Sequence, residues 1–181
     1  MKRYGLLILC LGIICAGCTE NDYQQLAGYK RELEPIEEQL QELLDTYRGA
    51  ALALGEGYGP RLPLEPARGR RMLEQARELA VDFEGIEIPP AAVEVAEIKR
   101  EATSSVVDAC ELLDAFLYTW VGIVPPASGE PTVVSLDIEL IGDFADQRLE
   151  VDEAFETARQ KLEQGALSLA RAILRSRGED S

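Results

Sequence analysis

The chain has 181 residues, of which 46% are hydrophobic and 28% charged, a composition typical of one folded globular domain rather than a disordered or multi-span membrane protein. Its 33 acidic residues outnumber its 18 basic residues, and the net charge of −15 argues against a protein that binds nucleic acid through phosphate contacts. The sequence contains no histidine, which excludes His-ligated zinc or haem and the Ser-His-Asp and Cys-His types of catalysis.

The N-terminus has the pattern of a bacterial export signal. Lys2 and Arg3 precede an apolar run, residues 6–14, which is shorter than the roughly 20 residues that a membrane-spanning helix needs. An Ala-Gly pair then leads directly to Cys18. This arrangement resembles the lipobox of bacterial lipoproteins. The resemblance implies that residues 1–17 are a cleaved signal peptide and that Cys18 becomes the acylated first residue of the mature protein.

The same resemblance bears on localisation. Thr19 is not the aspartate that resembles an inner-membrane retention signal, so we expect the outer membrane, facing the periplasm, with the inner membrane and the outer leaflet as alternatives. Two or more acyl chains on Cys18 would attach the protein stably to the membrane. Residues 18–21 are then expected to form a short lipidated tether, and residues 22–181 the helical-bundle domain.

Signal cleavage changes the charge and the cysteine content. The mature chain keeps 16 basic and 33 acidic residues, a net charge of −17. Its cysteines are the acylated Cys18 and Cys110, so we expect no internal disulfide even in the oxidising periplasm. Cys110 is interpreted as a small buried hydrophobic residue, because no histidine is present to activate a nucleophile.

From about residue 22 to residue 54 the sequence follows a heptad pattern, which predicts a long amphipathic helix with one apolar seam. Pro35 interrupts this seam, so either the helix bends there or a new helix begins at the proline. Because the seam stays in phase across Pro35, we favour one bent helix. The seam residues are Leu26, Tyr29, Leu33, Ile36, Leu40, Leu43, Tyr47, Ala50 and Leu54.

Prolines mark the second and third helices. Residues 55–66 contain three glycines and three prolines and are predicted to be a loop, and Pro66 suits the first turn of a second helix that runs to about Phe83. A third helix is predicted over about residues 91–124, with two adjacent apolar stripes that should bury its C-terminal half. One stripe contains Val95, Ile98, Ala102, Ala109, Leu112, Phe116 and Ile123, and the other contains Val106, Cys110, Leu113, Leu117, Trp120 and Val124.

A further segment rich in proline and glycine, residues 125–134, predicts the loop before a fourth helix over about residues 143–177. Gly178 is expected to end this helix. Residues 133–141 could form extra helical turns before Gly142 or a short extended stretch. We favour helix, because no second strand signal exists to pair with an extended segment.

Four amphipathic helices joined by short connections predict an all-α fold, an antiparallel four-helix bundle of long helices. A helix of 30 residues is about 45 Å long, so the bundle should be elongated. The residues that we expect to be buried together are Leu40, Leu43, Leu113, Phe116, Trp120, Phe155 and Leu162.

The mature sequence carries no recognisable catalytic or cofactor motif. A phosphate-binding glycine loop, a nucleophile elbow and a haem-attachment cysteine pair are all missing, so we expect no enzyme and no cofactor. Helical bundles can hold metal ions, but their usual two-metal site needs histidines. The acidic clusters are therefore interpreted as solvated faces rather than calcium sites. These clusters are Glu34, Glu37 and Glu38 on the first helix and Glu94, Glu97 and Glu101 on the third.

Arg68, Arg70 and Arg71 form a basic run at the start of the second helix of a very acidic chain. We interpret them first as partners of acidic residues on neighbouring helices, since such pairs are common on bundle surfaces. The alternative is a contact with anionic lipid head groups or with an acidic partner.

Arg171, Arg175 and Arg177 lie near the end of the fourth helix, which an antiparallel bundle returns to the membrane-proximal end. There they suit anionic lipid head groups, at about 1 kcal/mol for each arginine. The loops rich in proline and glycine would lie at the opposite end, where we expect a periplasmic partner to contact Tyr58 or Ser128.

These features favour a membrane-anchored lipoprotein that serves as a non-enzymatic interaction or accessory subunit of an envelope complex. The alternative is a periplasmic module that binds a small ligand or divalent cation between its helices. A large apolar pocket with inward polar groups would favour the ligand binder. An exposed apolar patch beside a dry core would favour the interaction protein.

Overall fold

The computed structural model describes the backbone of residues 4–54, 60–124 and 137–178, and the side chains of these segments from Glu20 onward. Within those segments the chain is all-α, which confirms the predicted fold class. The helices are α1 Tyr4–Ala53, α2 Pro66–Glu84, α3 Val93–Trp120 and α4 Ile138–Ser176, and a short 3-10 turn, Pro90–Ala92, leads into α3.

Helix α1 begins far upstream of the predicted start at residue 22, because it includes the apolar N-terminal run. Residues 18–21, which we expected to form a tether outside the helix, are helical; three of them, Thr-Glu-Asn, follow Cys18 without a glycine or proline to interrupt the helix. The helix also continues through Pro35, and the Gln39 side-chain amide donates a hydrogen bond to the Pro35 carbonyl oxygen at 3.1 Å. A second helix that starts at Pro35 is thereby excluded.

The apolar seam of α1 is the part of the core that the sequence predicts best. Every predicted seam residue is buried except Ala50, which packs at the edge of the core. Residues spaced by seven and by three or four lie on one face of a helix, so this face points into the bundle along its whole length. The seven residues expected to be buried together are all in the same hydrophobic cluster, which confirms that prediction.

Helix α3 ends at Trp120, four residues earlier than predicted. Gly122 adopts a φ of +85°, a left-handed conformation that a helix cannot contain, and the chain turns back so that Val121 and Val124 form an isolated bridge. The Ile123 and Val124 amides donate hydrogen bonds to the Trp120 carbonyl oxygen, which satisfies the end of the helix.

One of the two stripes predicted on α3 is partly wrong. Leu112 and Ile123 are 43% and 42% exposed, and Ile98 is only half-buried. The other stripe, which includes Val106 and Leu113, is buried throughout. Both stripes could not face the core completely, because together they span more of the helix circumference than its neighbours cover.

Helix α4 begins at Ile138, five residues before the predicted start, and Gly142 lies inside it. The preference for helix is therefore confirmed for residues 138–141, whereas residues 133–136 lie outside the described segments. Gly178 has a φ of +71° and donates its amide hydrogen to the Arg175 carbonyl oxygen at 3.0 Å. It ends the helix as predicted.

Side-chain pairs define an antiparallel arrangement in which each helix packs against its sequence neighbour and α4 also packs against α1. Tyr47 of α1 meets Asp152 of α4, and Arg70 of α2 meets Asp114 of α3. Helices α1 and α3 are diagonal and contact each other little. The described helices thus form the predicted four-helix bundle.

Candidate functional site

The start of α1 and the end of α4 meet at one end of the bundle, which we call the base. Arg177 donates a hydrogen bond to the Tyr23 hydroxyl oxygen at 2.6 Å, and its guanidinium carbon lies 4.5 Å from the centre of the same ring. Tyr23 follows Cys18 by five residues in one continuous helix, a distance of about 8 Å. The expectation that α4 returns toward Cys18 is confirmed by this contact.

Cys18 lies within the helical backbone of α1, but its side chain is outside the described part of the structure, so its acylation stays a prediction. Over the residues whose structure is described, no helix is long and apolar enough to cross a membrane.

The base carries charges of both signs. Arg171 and Arg175 are exposed on the last turns of α4. Arg175 also lines an open cleft of about 620 Å³, which lies between α1, α3 and α4 and includes the carboxylates of Asp22 and Glu94. Arginines and carboxylates are thus interspersed here, and contact of these arginines with lipid head groups stays a prediction.

The arginines of α2 lie away from the base. Arg70 forms an ion pair with Asp114 of α3 at 2.9 Å, and this hydrogen-bonded carboxylate raises the pKa of the guanidinium. Arg68 and Arg71 are exposed and line a shallow cavity of about 370 Å³ beside Ala53. Pairing across the bundle is therefore confirmed for Arg70, and the structure does not bring the two predicted arginine groups together.

The end of the bundle opposite the base, which we call the far end, exposes several large apolar side chains. Trp120 packs edge-on against Phe144 with ring centroids 5.1 Å apart, which places the end of α3 beside the first turns of α4. Ile138, the first residue of α4, is 86% exposed. We call the exposed residues here the far-end apolar set: Tyr118, Val121, Ile123, Ile138, Leu140 and Ile141.

Sequence reasoning did not find the far-end apolar set. It placed Ile123 in the core and left residues 133–141 ambiguous between helix and strand. A usable signal was present, because Ile138, Leu140 and Ile141 lie close together within one turn and cannot all face the same side of a helix. The predicted contact positions Tyr58 and Ser128 lie outside the described residues.

A buried ion pair crosses the middle of the bundle. Lys99 of α3 is only 2% exposed, and its ammonium group donates a hydrogen bond to a carboxylate oxygen of Glu37 on α1. Gly165 of α4 makes room for this side chain, because a Cβ atom at Gly165 would lie 2.9 Å from Cδ of Lys99. Three helices therefore cooperate to place one charge inside the core.

A heptad pattern in the sequence indicates that Lys99 occupies a core position. Ala92, Val106, Leu113 and Trp120 recur around it every seven residues, and all are buried. Lys99 occupies the missing position of this heptad series. A lysine at a core position is expected to need a paired carboxylate, and Glu37 provides it.

An open groove of about 710 Å³, which we call the acidic groove, runs between α1 and α4 beside this ion pair. Leu162 and Ala166 form part of its floor, and carboxylates such as Glu38, Glu42 and Glu163 surround it. Among the described residues, no group of three or more potential ligands is arranged to hold a metal ion. In the predicted acidic clusters, Glu37 binds Lys99, and Glu101 binds Lys161 at 2.8 Å.

Cys110 is completely buried and unpaired in the core. Burial raises the pKa of its thiol to about 12, so the reactive thiolate is strongly disfavoured at neutral pH. This confirms the interpretation of Cys110 as a small buried hydrophobic residue.

Comparison with known proteins gives no relative from which a function could be transferred. No family model, no curated protein and no solved structure matches this chain. Any functional assignment therefore depends on the residues and the geometry described above.

Proposed function

We propose that the protein is a lipoprotein of the bacterial envelope, held on the periplasmic face of the outer membrane by acyl chains on Cys18. It acts as a non-enzymatic interaction or accessory subunit, and its bundle binds a protein partner in the periplasm. The lipobox-like sequence supports the anchor. The absence of histidine from the sequence and the buried, protonated Cys110 support a non-enzymatic role.

The continuous α1 helix supports an upright bundle close to the membrane. Helical backbone connects Cys18 directly to the base, without an irregular linker between them. From Cys18 to Ala53 the helix is about 52 Å long. The base would then lie against the head groups, where Arg171, Arg175 and Arg177 can contact anionic lipid, and the far end would project into the periplasm.

The observation that carries the proposal is the far-end apolar set. Its side chains stay exposed although the same bundle buries the apolar seams of its helices almost completely. Exposed apolar residues concentrated at one end of a folded domain are typical of protein interaction sites. Their position at the opposite end from Cys18 is where a membrane-anchored subunit would meet a periplasmic partner.

Photo-cross-linking in intact cells tests this proposal. A photoreactive amino acid at Ile138 should capture a discrete partner protein, whereas the same amino acid at Leu167, exposed on the same helix but nearer the base, should capture little. Equal capture from both positions, or capture only from Leu167, would contradict a binding surface at the far end.

A second arm of the experiment tests the anchor. Replacing Cys18 by serine removes the thiol that would be acylated, so we expect release from the membrane or an uncleaved precursor, together with loss of the cross-link from Ile138. Mass spectrometry and membrane fractionation measure the outcome. An unchanged mature mass and unchanged fractionation would show that Cys18 is not the lipidated residue.

A further inference from the structure

A second cavity between α1 and α4, which we call the arginine pocket, lies nearer the far end than the acidic groove. Its volume is about 350 Å³, at the lower end of the range for small-molecule sites. Its walls are apolar and its rim is charged. The apolar wall residues are Leu44, Tyr47, Ala51, Leu52 and Phe155, and the charged rim residues are Arg48, Arg148, Asp152, Glu156 and Arg159.

The back wall of the pocket is a fixed aromatic pair. The rings of Tyr47 and Phe155 stack with centroids 3.9 Å apart and planes 19° from parallel. The Tyr47 hydroxyl donates a hydrogen bond to Asp152 at 2.5 Å, and burial raises the pKa of this hydroxyl above its ordinary value. Tyr47 is therefore neutral and held in place, so the wall offers a preformed apolar surface to a ligand.

The three arginines of the rim differ in the number of hydrogen bonds that they donate within the protein. Arg159 donates three hydrogen bonds to the carboxylates of Glu156 and Glu163. Arg48 donates none within the described residues, and Arg148 approaches Asp152 no closer than 3.8 Å. A guanidinium has five N–H donors, so Arg48 and Arg148 keep donors for a ligand at the mouth of the pocket.

The charge of the pocket differs from that of the chain. Three guanidiniums and two carboxylates make the rim positive by one charge, in a protein whose net charge is −15. The acidic remainder repels anions, whereas the locally positive rim of this pocket attracts them.

We propose that the arginine pocket binds a small organic anion, a carboxylate carried on an apolar body. The carboxylate lies between the guanidiniums of Arg48 and Arg148, which suit its planar geometry. The apolar body lies against Tyr47, Phe155 and Leu52. This binding activity goes beyond the proposed partner role and does not depend on the far-end apolar set.

Ligand-observed fluorine NMR tests the proposal on the full chain in lipid nanodiscs. The probe is 4-fluorophenylacetate, and its neutral control is 4-fluorophenylacetamide, which has nearly the same shape. Saturable line broadening is expected with the acid, and the amide should bind at least about tenfold more weakly, since it loses the charge-assisted hydrogen bonds. Empty nanodiscs supply the background for both compounds.

Matched variants identify the pocket. The double variant Arg48→Gln and Arg148→Gln should weaken binding of the acid by about tenfold or more. The control, Arg31→Gln, removes an exposed arginine elsewhere on α1 and should leave binding unchanged. Equal binding of acid and amide, an equal loss with Arg31→Gln, or no saturation above the empty nanodiscs would each overturn the proposal.

Discussion

The α3–α4 and α1–α4 interfaces share one helix but are built differently. Between α3 and α4, Phe116 and Trp120 pack against Phe144 with ring centroids 5.2 Å and 5.1 Å apart. Between α1 and α4, the Tyr47–Asp152 hydrogen bond crosses the interface, and the acidic groove and the arginine pocket open along it. Polar contacts also cross the α3–α4 interface, where Trp120 donates a hydrogen bond to Gln147 and Lys161 pairs with Glu101, but the α1–α4 interface is the more open of the two.

This difference suggests that one interface contributes mainly to stability and the other mainly to ligand binding. Burying aromatic and aliphatic surface supplies most of the free energy that opposes unfolding. Polar contacts contribute little net free energy, but a partly open interface leaves side chains available to ligands. We therefore expect the largest stability losses from substitutions in the α3–α4 interface and the largest changes in ligand binding from substitutions along α1 and α4.

Replacing Phe116 by alanine should cost about 3 to 5 kcal/mol of unfolding free energy, because it removes a buried ring and leaves a cavity. Urea denaturation followed by circular dichroism measures the loss. The matched control is Leu112→Ala on the same helix, which should cost far less because Leu112 is partly exposed. Similar losses for the two variants would contradict the difference in burial between Phe116 and Leu112.

The apolar core is the part of the fold that sequence periodicity could predict. The heptads of α1 and the stripe through Leu113 and Trp120 locate the core directly, because spacing fixes which side chains share a helix face. Spacing alone did not decide how much of α3 is covered, so Leu112 and Ile123 were misplaced. Coverage depends on where the neighbouring helices lie, which a single sequence does not specify.

The candidate sites were less predictable, for a related reason. Cys18 could be proposed from the sequence because the lipobox-like pattern is local, and its acylation stays a prediction. The Lys99–Glu37 pair and the arginine pocket join residues from different helices, and their partners depend on the relative rotation of those helices. Arg48 and Arg148 are 100 positions apart, and no local pattern links them.

The Lys99–Glu37 pair joins α3 to α1 and tests how much a buried polar contact contributes to stability. Glu37→Gln leaves the Lys99 charge buried without its partner and should cost about 2 to 3 kcal/mol, less than for a fully buried pair because the Glu37 side chain is 29% exposed. Lys99→Met removes the buried charge and keeps an apolar side chain of similar length, so it should change stability by less than about 1 kcal/mol. Chemical denaturation measures both variants, and a larger loss for Lys99→Met would contradict this account.

The pH dependence of stability tests whether water reaches the Cys110 thiol on the buried face of α3. Burial raises the pKa of Cys110 from 9.0 to about 12, so folding favours the protonated thiol. The contribution of the protonated thiol to the free energy of unfolding is complete below pH 9. It is lost as the pH rises toward 12, by up to about 1.4 kcal/mol per pH unit. Urea midpoints measured at pH 8, 9.5 and 11 should therefore fall more steeply for the natural protein than for Cys110→Ala. Parallel decreases would indicate that the Cys110 thiol is accessible to water.

The smallest expected effect concerns Gly165, where helix propensity and the space needed by the buried Lys99 side chain have opposite effects. Alanine is favoured over glycine inside a helix by about 1 kcal/mol, so Gly165→Ala should stabilise α4 if nothing obstructs it. The new Cβ atom would lie 2.9 Å from Cδ of Lys99, however, and the lysine is held in place by Glu37. In the natural background, we therefore expect no gain or a small loss.

A double-mutant cycle separates the two contributions at Gly165. In a Lys99→Ala background the obstructing side chain is absent, and Gly165→Ala should then give the full gain of about 1 kcal/mol. The difference between the two backgrounds measures the coupling between Gly165 and Lys99. Equal effects in both backgrounds would mean that Gly165 does not provide the space for the buried lysine, and a different cause would be needed for a glycine in the middle of α4.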